Sequence, residues 1–445
     1  MKINVTTYKT EKFSKRDYRL TIGLNIDTLK SKIINSSAVI QLFPITYFHG
    51  KIAEEAYGLL YLSAIVYAID RSVDRHIYSI DGWSREFDVD IVIPKHEHFI
   101  TIQDEINKML SFLTGDYWNC RFVDEADVVY PKFKTHTDYD NIKQVILFSG
   151  GLDSLIGAID YLSQNPNDHL YLSSHYDRFM GGPKNDQKKV RQALIKKYKS
   201  SLKYRDAVLI TPKLSIEMSC RSRSFMFFAL ATIVASYAKC DVVVPENGSV
   251  SLNYPLSPSR RASCSTRTTH PLFIMRYQNM INALGLNIRI YNPYEFMTKG
   301  EMVQQCADKN FLLQVVDLSN SCGKRNMHQQ MYDNPNATHC AHCMPCMYRK
   351  AALLGELDPT SYGNHLETIF KKHKYSVSND FFAMLDFLKS SISKEDIKKE
   401  LYIAGMSGFT NIDRYVDLVI RTRKELEDML RAENCQLINQ YMGWI

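Results

Sequence analysis

Between residues 142 and 350 the chain alternates short apolar runs with longer stretches whose apolar positions recur at helical spacing. The runs "QVILFSG", "HLYLSSH", "DAVLITP", "DVVVPENG" and "LNIRIYNPY" read as strands; "SLIGAIDYLSQ", "DQKKVRQALIKKYK" and "SFMFFALATIVASYAKC" read as helices between them. Parallel neighbours need crossover connections, so the alternation predicts an α/β fold, a parallel sheet covered by helices on both faces. Ligands in such sheets bind beyond the carboxyl ends of the strands, which singles out the loops after Phe148, Ser174, Pro212, Val244 and Pro293.

The flanks follow other patterns. Residues 1–135 mix strand-like "INVTTY" and "REFDVDIVIP" with helical "AEEAYGLLYLSAIVYAIDRSVDR" and "TIQDEINKMLSFLTG", an N-terminal α+β accessory module. The polar stretch "DEADVVYPKFKTHTDYDN", ending at Asn141, is a candidate linker. From 351 to 445 the periodicity is helical throughout, with Ser393 placed to cap one helix. No repeat or low-complexity tract interrupts these three segments.

Composition adds limits. With 445 residues, 45% hydrophobic and 11% aromatic, the chain can bury sizeable cores in two or three domains. The longest nearly uncharged apolar stretch, Ala56–Ile69, has 14 residues and runs into Asp70 and Arg71, which suits a core helix and not a membrane span. The first twenty residues carry no apolar signal region, so a cytoplasmic, reducing compartment is expected. The net charge of +7 is spread along the chain, compatible with RNA or an anionic nucleotide without demanding either.

Two motifs carry chemistry. In "FSGGLDS" the paired glycines Gly150 and Gly151 let backbone approach a phosphate closely, and the helix starting near Ser154 aims free amides and its positive dipole end at the same place. Ser149 and Ser154 add hydroxyl donors. Asp153 would repel phosphate unless a cation lies between them, which assigns it to Mg²⁺. The loop lacks the lysine of the Gly-x-x-x-x-Gly-Lys-Ser/Thr pattern. The second motif is Cys322, Cys340, Cys343 and Cys346, four of the ten cysteines within one 25-residue window. Thiolates spaced by three converge on one tetrahedral ion from a knuckle-like turn, a closed and structural site. His339 and His342 compete for the fourth position, although Cys322, followed by Gly323, fits it better.

"SGGLDS" is similar to the Ser-Gly-Gly-x-Asp-Ser signature of the PP-loop ATP pyrophosphatases. That resemblance implies a Rossmann-like (HUP/PP-loop) sheet, ATP held by Ser149, Gly150, Gly151, Asp153 and Ser154, and cleavage between the α and β phosphates. Together with the cysteines it resembles 7-cyano-7-deazaguanine synthase, the QueC family, over about residues 142 to 350, which implies a structural Zn²⁺. In that family the first cysteine lies closer to the rest; here 17 residues separate Cys322 from Cys340, a spacing that suggests an inserted loop.

Between the motifs, "CRSRSFMFFALA" sits where the synthases have an arginine-led loop entering a helix. Arg221 and Arg223, with Ser222 and Ser224, either meet phosphates there or only solvate the loop. The segment Pro245–Phe273 places Glu246, Asn247, Asn253, Arg267, Thr268, Thr269 and His270 after the fourth strand. A carboxylate and an amide suit the guanine-like edge of a deazapurine, and an arginine suits a carboxylate. Its wording resembles the QueC-like proteins of anti-phage defence islands, the QatC subfamily, which also carry an extra N-terminal module. Lys299, in "MTKGEMV", matches a Thr-Lys-x-Glu element of the synthases and either touches phosphate or is a plain helix-start lysine. His175 and Gln187 fall near the second strand's loop.

The expected activity is ATP-dependent adenylation of a 7-deazaguanine carboxylate, followed by attack of an amine. That amine is ammonia in a conventional synthase; the defence-island resemblance implies a protein acceptor from the same operon (QatB-like). Direct tRNA modification is the less favoured alternative, since no basic block with interleaved aromatics is present. A non-catalytic nucleotide sensor in a defence complex is a third, although a sensor has no need of Asp153.

Overall fold

The computed structural model describes the chain except for residues 10–18, 29, 31, 46, 49–51, 124–138, 140, 180–181, 258–259, 262–265, 326–332, 357 and 372–378. The candidate linker ending at Asn141 lies outside the described residues apart from Tyr139 and Asn141.

Among the described residues, twelve strands form two sheets. β1 (Lys2–Lys9), β2 (Arg19–Asp27) and β3 (Ile33–Gln41) make an antiparallel meander, and β4 (Glu86–Ile91) and β5 (Tyr117–Phe122) extend it in parallel from β1. β6 (Ile142–Leu147), β7 (His169–Ser173), β9 (Leu202–Tyr204), β11 (Asp241–Val243) and β12 (Ile290–Tyr291) form a wholly parallel sheet in the order β12-β11-β6-β7-β9. The two remaining strands, β8 (His175–Asp177) and β10 (Val208–Pro212), pair in parallel with each other, and β10 runs antiparallel to β3.

The α/β character and parallel pairing follow the sequence pattern, but one strand lands elsewhere. "DAVLITP" is expected in the parallel sheet; its strand β10 instead completes the seven-stranded sheet, in the order β5-β4-β1-β2-β3-β10-β8, and the short β9 takes its place at the edge. β3 supplies the reason. Its outer edge would carry unpaired amides and carbonyls, and β10 satisfies them. The connection continues in the core, where residues of β1 to β5 pack with those of β6, β11 and the helix Arg223–Ala238.

That helix is buried along nearly its whole length and packs against Glu54–Ser72, in which every residue after Glu55 is buried. The apolar run that suggested a core helix is therefore sandwiched inside the protein. No described helix is long and apolar enough to cross a membrane. At the other end, helices Leu366–Lys371, Asn379–Lys389, Lys394–Leu401, Ile412–Glu433 and Gln436–Met442 build a second core that includes Cys340, Cys343, Cys346 and Met347. Ser393 caps its helix as expected, accepting from Asp396 N at 3.1 Å.

Candidate functional site

β6 is central, with β7 and β11 on opposite sides, so the chain leaves its carboxyl end toward both flanks and opens a crevice there. "SGGLDS" forms the turn at that point. Gly150 has φ +83°, and a Cβ on it would lie 2.8 Å from the Gln187 amide nitrogen, so the turn requires glycine. Helix Leu152–Gln164 starts at Gly151 with no side-chain cap on its first-turn amides. Ser149 and Ser154 frame the turn, with their Oγ atoms 3.4 Å apart, and Ser154 donates to Gly151 O at 3.0 Å. An uncapped helix start beside serine hydroxyls is the local chemistry of an anion site.

Asp153 lies inside this turn and is 6% exposed. Lys299 Nζ donates to its Oδ1 at 2.5 Å and Asn247 Nδ2 to its Oδ2 at 2.7 Å. Burial pushes the Asp153 carboxyl upward, but the Lys299 ammonium and these hydrogen bonds hold it below the usual carboxylate range. Glu246 is hydrogen-bonded to Asp153, and burial plus the Asp153 charge push its carboxyl well above that range, in the direction that favours its neutral form. The cation that neutralises Asp153 is thus an ammonium. Lys299 occupies Oδ1, so the carboxylate is not arranged as a resident Mg²⁺ ligand. Lys299 is fixed by its own helix start, Lys299–Gln304, where Thr298 and Glu301 form a capping box.

Two neighbouring clefts share Ser149, Pro245 and Glu246 in their linings. The smaller, about 210 Å³, faces the turn and is lined by Gly151, Asp153, Lys299 and Ser321. The larger, about 300 Å³, has Phe227 and Phe228 on its apolar side and Arg223, Ser224, Thr268 and Thr269 among its polar lining. Ser219 Oγ, Arg223 Nε, Ser224 Oγ and Thr269 Oγ1 are buried atoms of this lining without a hydrogen-bond partner among the described residues. Buried polar atoms left unmatched are costly, so their gathering in one cleft marks a place where a polar ligand fits.

Other expected residues are placed elsewhere. Arg221 is 3% exposed with its guanidinium 4.7 Å from the Trp83 ring centroid, and burial followed by repulsion from Arg75 lowers it to about 10. Arg267 donates to Phe112 O at 2.9 Å and covers the Phe112 ring. His270 is a helix cap: its Nδ1 accepts from Leu272 N at 3.1 Å at the start of Pro271–Ala283, and burial, then Arg267, push it down to about 3. All three are bound to structural partners, and none lines the two clefts. Asn253, at φ +46°, donates to Thr266 O, while His175 is buried beside Phe227 with its carbonyl accepting from Gln187 Nε2. Sequence reasoning missed Asn320 and Ser321. Asn320 N donates to Gly150 O at 3.1 Å, laying the irregular segment before Cys322 across the turn. Their only signal was adjacency to the first cysteine.

The four cysteines do come together, with their sulfur atoms within 4.8 Å of one another. Cys322 Sγ lies 4.0 Å from Cys343 Sγ, and Cys340 Sγ 3.9 Å from Cys346 Sγ. A tetrahedral ion with metal–sulfur bonds of about 2.3 Å sets its sulfurs about 3.8 Å apart. The amides of His342 and Cys343 donate to Cys340 Sγ at 3.4 and 3.3 Å, which favours thiolate there. The histidines are otherwise engaged: His339 Nε2 accepts from Ser321 N, and His342 Nδ1 lies 3.1 Å from Cys340 O. The cluster can hold a metal ion with four sulfur ligands and no open position.

Compared with protein-family models, curated proteins and solved structures, the chain matches none.

Proposed function

We propose that the protein is an ATP-dependent, AMP-forming enzyme that activates a heterocyclic carboxylate, a 7-deazaguanine acid, for attack by an amine. The observation that carries this reading is the turn with its two clefts: an uncapped helix start with serine hydroxyls beside a cleft whose buried polar lining lacks partners. The smaller cleft takes the pyrophosphate end of ATP, which arrives with its Mg²⁺, and the larger takes the acid against Phe227 and Phe228. A substrate carboxylate oxygen attacks the α phosphorus and the bond to the β-phosphate oxygen breaks. Lys299, the first-turn amides and Ser149 take up the charge on the departing pyrophosphate. The amine then attacks the acyl carbon, AMP leaves, and the amine loses a proton to give the amide. Adenylation is what makes this feasible, because AMP leaves from an acyl carbon far more easily than hydroxide, and paired clefts supply the alignment.

The cysteine cluster is proposed as a structural Zn²⁺ site. It has no part in the chemistry; its donors are all thiolates and its geometry is closed. The acceptor is proposed to be a protein amine supplied by a partner of the same defence operon.

The test incubates the protein with Mg·ATP and 7-carboxy-7-deazaguanine and follows AMP and pyrophosphate. AMP release that requires the deazapurine supports the reading; ADP release, or AMP release indifferent to the acid, overturns it. Ammonia, tRNA and the neighbouring-gene protein added in turn, with mass spectrometry of each, identify the acceptor.

A further inference from the structure

Both walls of the larger cleft are tied to one corner of the N-terminal unit. The first wall is the start of helix Arg223–Ala238, which carries the unpartnered Ser224 hydroxyl. Ser222, immediately before it, donates to Asp70 Oδ2 from its backbone nitrogen at 3.1 Å and from its hydroxyl at 2.6 Å. Asp70 is bound through Oδ1 to Arg85 at 2.6 Å, and Arg85 to Asp116 at 2.8 Å, all with fully buried side chains. The second wall is the loop carrying Thr268 and Thr269. Arg267 donates to Phe112 O, and the His270 ring meets the Phe112 ring edge-on at 5.2 Å. Phe112 and Asp116 flank the same turn, where helix Gln103–Thr114 passes through Gly115 into β5.

We propose that the N-terminal unit sets the width of the substrate cleft, with Asp70 and Phe112 as positioning residues that hold Ser224 and Thr269 at the separation a planar acid requires. This rests on the proposed reaction only for what the cleft holds. Apolar packing alone would keep helix Arg223–Ala238 in place without fixing its first turn, whereas the buried hydrogen bonds to Asp70 are directional and fix both Ser222 donors. The smaller cleft is built from the turn, Lys299 and the segment Asn320–Ser321 before Cys322, so it lies outside this control.

The experiment uses full-length Ser222→Ala, Ser222→Thr and Phe112→Leu. In Ser222→Ala, which loses one buried hydrogen bond, and in Phe112→Leu, which keeps the carbonyl but loses the ring contacts with His270 and Arg267, the KM for the acid should rise about tenfold, while the KM for ATP stays within about twofold. Ser222→Thr keeps the hydroxyl and should restore the parent value. Hydrogen exchange should increase at residues 219–224 in Ser222→Ala and at 266–272 in Phe112→Leu. Folded variants with unchanged acid KM and unchanged exchange overturn the proposal, as does a parallel rise in both KM values. If the parent releases no AMP at all, the proposed reaction fails and the exchange measurement alone decides the positioning role.

Discussion

Replacing Lys299 with methionine removes the ammonium beside Asp153 while keeping most of the side-chain stem. In the parent this pair is 2.5 Å apart, with side chains 5% and 8% exposed. Without it, the carboxylate keeps one side-chain amide donor, Asn247 at 2.7 Å. Breaking one partner out of a buried pair costs about 3–5 kcal/mol. An independent ceiling comes from protonation, since a stranded carboxylate can bind a proton. Starting from the ordinary value of 3.8, at about 1.36 kcal/mol per pH unit, that escape costs about 4.4 kcal/mol at pH 7 and about 1.6 kcal/mol at pH 5. In the parent the Asp153 value lies below 3.8, so its contribution is present above that pH and lost only as pH falls below it. In the variant burial acts without the ammonium and raises the value, so the deficit is largest at neutral pH and shrinks on acidification. Urea denaturation at pH 7 should show Lys299→Met less stable by about 3–4 kcal/mol, closing to less than about 2 kcal/mol at pH 5. Asp153→Asn combined with Lys299→Met should recover much of the loss, because no charge is left buried. A deficit independent of pH, or a double variant no better than the single, would refute the reasoning.

Asp153→Asn alone should lose AMP formation by about a hundredfold or more while remaining folded, read by pyrophosphate release and circular dichroism. Chelation, or Cys343→Ser, should lower the thermal midpoint and release about one zinc ion per chain by elemental analysis; unchanged stability rejects the metal assignment. Acid should destabilise the protein through His270. Its folded value near 3 lies below the ordinary 6.5, so its contribution is full above pH 6.5 and falls as pH drops toward 3. His270→Asn retains a capping acceptor without a titrating ring and should flatten the decline between pH 6.5 and 4, measured by denaturant midpoints.

What the sequence made legible was local. The turn at Ser149–Ser154 and the run Cys340–Cys346 consist of neighbours whose spacing already constrains their geometry; a helix does start at that turn, and the four cysteines do gather where they could hold a metal ion. The apolar alternation correctly indicated parallel strands, but it could not say which sheet edge would take β10, because that depends on a strand some 170 residues earlier in the chain. Arg221, Arg267 and His270 show the same limit in the site. Their side-chain types suit phosphates and carboxylates, yet Trp83, Phe112 and a helix start claim them, and those partners come from packing no short motif records.

The lysine missing from the turn shows how far such reassignment reaches. On the proposed reading, a phosphate loop without its own lysine still has to match the charge of a pyrophosphate, and a helix start supplies only about half an elementary charge. Lys299 reaches the turn from 146 residues away and brings a whole one. In this structure that charge is paired with Asp153, whose carboxyl it holds below the usual range, while the Asp153 charge and burial push the Glu246 carboxyl above it. Under the proposed function an arriving anion would meet a cation already held by a carboxylate, and its binding would require either that Lys299 share its donors between both or that the Mg²⁺ carried by the nucleotide take over Asp153. Asn247 is what makes either exchange affordable: its amide keeps Oδ2 satisfied whichever cation holds Oδ1, so Asp153 never stands buried without a partner.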